Sequence, residues 1–305
     1  MADSKISALT TETAADPNDL LVIAEAQGTF PETYASKKAL RKNIIGIETL
    51  FANRTYYVRA DGNDANDGLT NTSGGAFLTI QAAVDAAFGV NWNGYAVTIS
   101  IGNGTYTAGA VVTGFAVGQK SPDDFIIKGG SGTASDVTIS VTSDNCFQSD
   151  YGAMVTVQDL TVQTTTSGIG LYATNRGVLQ FSNIAFGACP SNHVTTAGEG
   201  ALIVATGNYS ITGNAPIHMV AYLGSQIVVG SGITITLTGT PAFSSYFAGV
   251  YGLSILNAAG NTYSGSATGK RYNSTGNGLI HVAGAGSTYF PGNVAGTTAS
   301  GGLYI

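Results

Sequence analysis

The sequence predicts an all-β solenoid, and three observations lead there. Only 10% of the 305 residues are charged and Gly numbers 42, against an ordinary charged share of about 25% and a Gly share of about 7%. From about residue 96, short runs alternate apolar and polar: Val97, Ile99 and Ile101, then Val137, Ile139 and Val141, then Val155 and Val157. Period 2 is the signature of a half-buried strand. A loose unit also recurs. Gly152-Ala-Met-Val-Thr-Val157 with Leu160 and Val162 matches Gly177-Val-Leu-Gln-Phe181 with Ile184 and Phe186. Further copies start at Gly224, Gly252 and Gly278. A spacing of about 20–30 residues fits coils that each contact only their neighbours. Apolar residues point inward, and Gly or Asn turns the corners. A β-sandwich is the second fold considered, because it also builds from short strands.

Residues 1–53 form a separate, charge-rich segment. Leu20-Leu21-Val22-Ile23-Ala24 is its one strand-like run, and Lys37, Lys38, Arg41 and Lys42 form its basic cluster at possible helical spacing. So little apolar sequence cannot make an independent core. Residues 54–305 are read as the solenoid, with 54–95 as a cap, 96–288 as coils and 289–305 as a C-terminal tail. In the cap, Phe77, Ile80, Val84 and Ala87 fall on one face of a short helix. An apolar-faced helix ahead of a β-rich run covers the open end of a strand stack.

Net charge of -6 argues against nucleic acid, which demands a basic face. No apolar run is long enough for a spanning helix, and Met1-Ala2-Asp3-Ser4-Lys5-Ile6 lacks the layout of a signal peptide. The chain is thus expected to be made in a cytoplasm. Cys146 and Cys189 lack metal-ligand spacing and are read as reduced and buried.

Lys5-Ile6-Ser7-Ala8-Leu9, then Asp16-Pro17-Asn18-Asp19-Leu20-Leu21-Val22-Ile23 and the Lys37-Lys38 pair, resembles the N-terminal segment of tailed-phage fibre, spike and head-appendage proteins. Tyr57-Val58-x-x-Asp61-Gly62-Asn63-Asp64-x-Asn66-Asp67-Gly68, then Phe77-x-Thr79-Ile80-Gln81-x-Ala83-Val84-Asp85-x-Ala87, is similar to the start of pectate-lyase-like domains. That start occurs in phage spikes and in secreted polysaccharide-processing enzymes. Pro291-Gly292-Asn293-Val294-Ala295-Gly296 resembles the ends of several phage structural proteins. The resemblance implies a right-handed parallel β-helix with an N-terminal capping helix and a short anchor segment. It implies attachment to a virion through Lys5, Ile6, Leu9, Leu20, Leu21, Lys37 and Lys38. It also implies a homotrimer, synthesis in the bacterial cytoplasm, and contact with host surface polysaccharide.

A carboxylate census bears on the choice between binding and cleavage. Glycoside hydrolysis uses two carboxyl groups about 5–10 Å apart. After Asp159 the chain has one acidic residue, Glu199. If the chain is an enzyme, Asp136, Asp144 and Asp150, near strand ends, are the carboxylates to share a face. A lyase would draw on a base, yet the second half offers only Arg176, Lys270 and Arg271, without acids nearby. His193, His218 and His281 are scattered and read as structural. Asp61, Asp64 and Asp67 fail the calcium-loop pattern, since Ala65 stands at a ligand position, and are read as Asx-turns. No metal or cofactor is expected. Tyrosine is the more promising chemistry, because its ring stacks on sugars and its hydroxyl bonds theirs. Tyr151, Tyr172, Tyr222, Tyr246 and Tyr251 are the glycan-binding candidates. The sequence thus leads to a structural virion appendage, a head or tail spike or fibre, that recognises host polysaccharide. A polysaccharide depolymerase, hydrolase or lyase, is the alternative, and a ligand-free particle component is the third reading.

Overall fold

The computed structural model describes residues 20–27, 33–40 and 47–305. The chain divides into two compact units, Met1–Thr49 and Leu50–Ile305. In the first unit, strand β1 (Leu20–Gln27) pairs antiparallel with β2 (Thr33–Leu40). Lys37 and Lys38 therefore lie on a strand, in register with Ile23 and Val22, and not on a helix. The apolar run Leu20–Ala24 supplies a strand, and that strand fixes its neighbour as its partner. Lys5, Ile6, Leu9, Arg41 and Lys42 lie outside the described residues.

The second unit is a parallel β-solenoid of about eight turns. One sheet stacks Arg54–Val58, Val97–Ile101, Phe125–Gly129, Met154–Ser167, Val178–Phe186, Leu202–Ala205, Gln226–Val229, Ile255–Asn257, Leu279–His281 and Leu303–Tyr304 in chain order. The second stacks Ala110–Thr113, Phe147–Asp150, Ile169–Thr174, Asn192–Ala197, Ala215–Tyr222, Ala242–Tyr251, Tyr272–Ser274 and Thr297–Thr298. A further parallel ladder joins the first sheet through its two longest strands; it holds Gly104–Tyr106, Val137–Ser143, Tyr209–Ile211, Thr234–Leu237 and Thr262–Ser264. Residues 289–305, read from sequence as a tail, supply the last strand of each sheet.

Period 2 gives each strand an inward row, and parallel pairing stacks the rows into columns. One column runs Tyr56, Ile99, Ile127, Val157, Phe181, Ala205 and Val229, all in register and all buried. Each buried Val, Ile or Phe contributes about 1.5–3 kcal/mol. Phe181 has room because Ala205 follows it in the column.

Helix α1 (Ile80–Phe88) begins after Thr79, which is extended and accepts the Ala82 N–H through its side chain. Phe77 thus falls ahead of the helix and packs against Tyr56 at 6.1 Å. Ile80, Ala83, Val84 and Ala87 are the buried face. The helix touches Arg54–Val58, Val97–Ile101 and Ala110–Thr113, the first strands of the stack. The acidic loop before it is closed by turn chemistry. Asp64 accepts from the Leu78 and Thr79 amides at 2.8 Å, Asn63 from Ala65 at 2.9 Å and Asp67 from Leu69 at 3.0 Å. Asp61 is held by Arg59, Nε to Oδ1 2.8 Å. Among the described residues no helix is long and apolar enough to cross a membrane.

Candidate functional site

The carboxylates come first, because their placement decides what chemistry is available. Asp136 ends a short turn before strand Val137–Ser143, Asp144 follows that strand, and Asp150 ends strand Phe147–Asp150. The structure thus puts all three on one coil at three successive corners, separated by strands. Asp150 is engaged in the fold: Oδ1 accepts from the Tyr151 amide at 2.8 Å and from Asn175 Nδ2 at 2.9 Å. Asp144 Oδ1 accepts the Asn145 amide at 2.8 Å. Among the described residues no three His, Cys, Asp or Glu side chains gather as metal ligands.

The tyrosines fall into two places. Tyr222 and Tyr251 are register partners on the outer face of the second sheet, and their rings stack at 5.1 Å with 21° between planes. Tyr246 lies beside them at 6.2 Å from Tyr251. Its ring lies over Gly249, where a Cβ would meet its Cε2 at 2.3 Å. This cluster buries Ile217 and Val220 on the outside of the solenoid, apart from the main core. Burial, then hydrogen bonding to Tyr251, raises the Tyr246 phenol above its ordinary pKa. Tyr251 Oη accepts from Asn273 Nδ2 at 2.8 Å. Three of the five tyrosines therefore meet, but Tyr246 is buried and acts as the platform beneath the other two. Tyr172 stands alone on the same sheet, between Gln148 and Thr195.

Tyr151 belongs to the second place, the corner where the second sheet hands over to the first. Here an open groove of about 450 Å³ is lined by Phe115, Tyr151, Gly152, Asn175, Arg176 and Glu199. Every coil turns this corner through left-handed backbone: Tyr151 at φ 50°, Arg176 at 66°, Leu223 at 58°, Leu253 at 63° and Asn277 at 58°. Glycine on the next coil clears space for the side chain below. A Cβ at Gly152 would lie 2.5 Å from Phe115 Cζ, and one at Gly200 would lie 3.3 Å from Arg176 Cγ. Among the described residues the Arg176 guanidinium and the Glu199 carboxylate have neither a hydrogen bond nor an ion pair. Phe115, Arg176 and Glu199 are absent from the sequence-derived candidates. A signal for one of them was present: the residue just before a repeat glycine is the corner residue, as Tyr151 is before Gly152 and Arg176 before Gly177.

The histidines are not isolated. His193 and His218 occupy the same inward place on successive coils, with Nδ1 to Nδ1 3.1 Å, and Tyr209 Oη lies 3.0 Å from His218 Nε2. Burial lowers the His193 pKa to about 4 and holds His218 well below its usual value. These are neutral core groups without access to solvent. Cys146 and Cys189 are free and buried, and burial pushes the Cys189 thiol up to about 11.

Fold and sites together define a parallel β-solenoid with an aromatic outer face and a polar-aromatic corner groove. Compared with family models, curated proteins and solved structures, the chain matches none.

Proposed function

We propose that this chain is a virion appendage protein, a head or tail spike or fibre, that holds to the particle through its N-terminal segment and recognises host surface polysaccharide. The observation that carries the recognition reading is the display of Tyr151, Tyr172, Tyr222 and Tyr251 on the outside of a solenoid with few charges. Sugar rings stack on such faces, and hydroxyl and amide groups nearby hold them without net charge. The virion assignment is supported by the resemblance of residues 5–23 to phage appendage proteins; the start at residues 57–87 is shared by phage spikes and secreted polysaccharide-processing enzymes. Right-handed winding accords with the general handedness of parallel β crossovers, and α1 is read as the cap of the first coil.

The same reading includes a homotrimer. An outward column on the first sheet runs Met154, Val178, Leu202, Gln226, Ile255, Leu279 and Leu303 in register, apolar at every place but one. A continuous apolar face of this kind marks an interaction surface, and further copies of the chain are the partner proposed for it. The separation of Asp136, Asp144 and Asp150 speaks against a depolymerase.

Two measurements test the proposal. Antibody labelling of purified particles should place the protein on the virion surface; its absence from particles overturns the virion assignment. The full chain should bind host capsule or lipopolysaccharide without releasing sugar. Release that is abolished in Asp136→Asn, Asp144→Asn or Asp150→Asn would establish the depolymerase instead.

A further inference from the structure

Resting on the polysaccharide-recognition reading, we infer that the corner groove of Phe115, Tyr151, Asn175, Arg176 and Glu199 is the sugar subsite, and that it takes a neutral hexose ring. Three independent features of the groove lead to this ligand.

The first is backbone strain. Left-handed φ strains a residue with a Cβ, and Gly, Asn and Asp meet it most readily. The corner uses suitable residues at Asn175, Asn277 and several glycines. Tyr151 and Arg176 sit there nonetheless, at φ 50° and 66°, as Leu223 and Leu253 do on later coils. Nothing in the turn calls for a phenol or a guanidinium, so the residues are explained by what they present outward.

The second is exposure. Phe115 is 74% and Tyr151 65% exposed, and both line the groove. Neither ring contributes its full area to the core. Each offers an aromatic face to a groove whose volume falls in the range of small-molecule sites, about 300–1,000 Å³.

The third is the polar set and its charge. Arg176 can only donate and Glu199 can only accept, and each is without a partner among the described residues. A pair of sugar hydroxyls satisfies both, one accepting from the guanidinium and the other donating to the carboxylate. Asn175 is oriented by its bond to Asp150, Nδ2 to Oδ1 2.9 Å. Asp150 and Glu199 set two carboxylates against one guanidinium. An anionic sugar would meet net repulsion here, and a neutral one would not.

The test is an array printed with neutral hexose oligomers, N-acetylated oligomers and uronate-bearing oligomers, probed with the full chain and its variants. Wild type should bind the neutral hexose spots. Tyr151→Ala, Arg176→Gln and Glu199→Gln should each weaken that binding at least about tenfold, the effect of losing one hydrogen bond to a charged group or one stacked ring. Phe51→Ala, at an exposed ring that does not line the groove, should leave it unchanged. Circular dichroism and the melting midpoint establish that each variant is folded, and the three substitutions are separate, so loss of one fold does not remove the test. Neutral-glycan binding that survives in all three groove variants overturns the subsite and leaves polysaccharide recognition standing. Binding confined to uronate spots overturns the neutral assignment. A wild-type chain that binds no glycan, on the array or on host cells, overturns the recognition reading itself.

Discussion

The side chain of Gln81 is hydrogen-bonded to both backbone groups of Val111: the Val111 N–H donates to Oε1 at 2.8 Å, and Nε2 donates to the Val111 carbonyl at 3.2 Å. Val111 lies in the first strand of the second sheet, Ala110–Thr113, whose other neighbour is the strand of the next coil. The helix amide thus stands where the missing neighbouring strand would be. An open edge is a template for pairing with another chain, and Gln81 occupies it. Gln81→Ala should cost about 1–2 kcal/mol, the effect of leaving these groups without a protein partner. It should also increase concentration-dependent light scattering. A variant with an unchanged denaturation midpoint and unchanged scattering would show that the edge does without its cover.

Val84 lies on the buried face of the same helix. A carboxylate placed there would be buried among Ile80, Ala83 and Ala87, and burying a charge costs several kcal/mol. Val84→Asp should therefore lift the helix off the first coil. Dye binding to exposed apolar surface and aggregation on gel filtration are the readouts. A monodisperse, dye-negative variant would sink the reading of the helix as a cap.

How far these features were legible in the sequence differs from residue to residue. The inward columns were visible because every strand carries its own period-2 record, as at Val97, Ile99 and Ile101. The helix face was visible for the same local reason. Features made between coils left no such record. His193 and His218 looked scattered, yet their separation of 25 residues is one coil, which stacks them. Tyr222 and Tyr251 meet for that reason too. Phe115, Arg176 and Glu199 come to one groove from three different coils, so no local pattern joins them. Strand Val137–Ser143 was legible by its alternation, but the ladder it joins with Tyr209–Ile211 was hidden because the other strands are short and two of its members are the far ends of longer strands. The acidic residues Asp61, Asp64 and Asp67 stood out by composition, and their partners are mostly the amides of their own loop.

Two glycines separate the backbone contribution from the packing contribution. Gly114 has φ +76° and open space where a Cβ would go. Gly168 has φ +103°, and a Cβ there would lie 2.0 Å from the Asp144 carbonyl oxygen. Gly114→Ala should cost about 1–2 kcal/mol, the left-handed strain alone. Gly168→Ala adds a collision with backbone that cannot rotate away, and should cost about 3 kcal/mol or more. Urea denaturation of the pair gives the difference directly. Equal losses would mean that the corner at Gly168 relaxes freely.

The buried histidines predict an acid limit to stability. The Gly187 carbonyl can only accept, so His193 Nε2, at 2.9 Å from it, carries the proton. His193 Nδ1 is then the acceptor for His218 Nδ1–H, and His218 Nε2 accepts from the Tyr209 hydroxyl. Every group in the chain is satisfied only while both rings are neutral, and burial opposes either charge. The folded pKa of His193, about 4, and the lowered one of His218 lie below the unfolded value of about 6.5. As pH falls below that value, the unfolded state takes up protons that the folded state refuses. The stabilisation is therefore complete at neutral pH and is lost between about 6.5 and 4. From pH 7 to pH 5 His193 should remove about 2 kcal/mol, and His218 removes stability in the same direction. Urea midpoints measured across it should fall steeply in wild type. The doubly substituted His193→Gln, His218→Gln chain should be less stable at pH 7 and nearly flat from pH 7 to pH 5. A wild-type midpoint that does not move over that interval would mean the two rings accept protons inside the folded coil, and the neutral network would have to be abandoned.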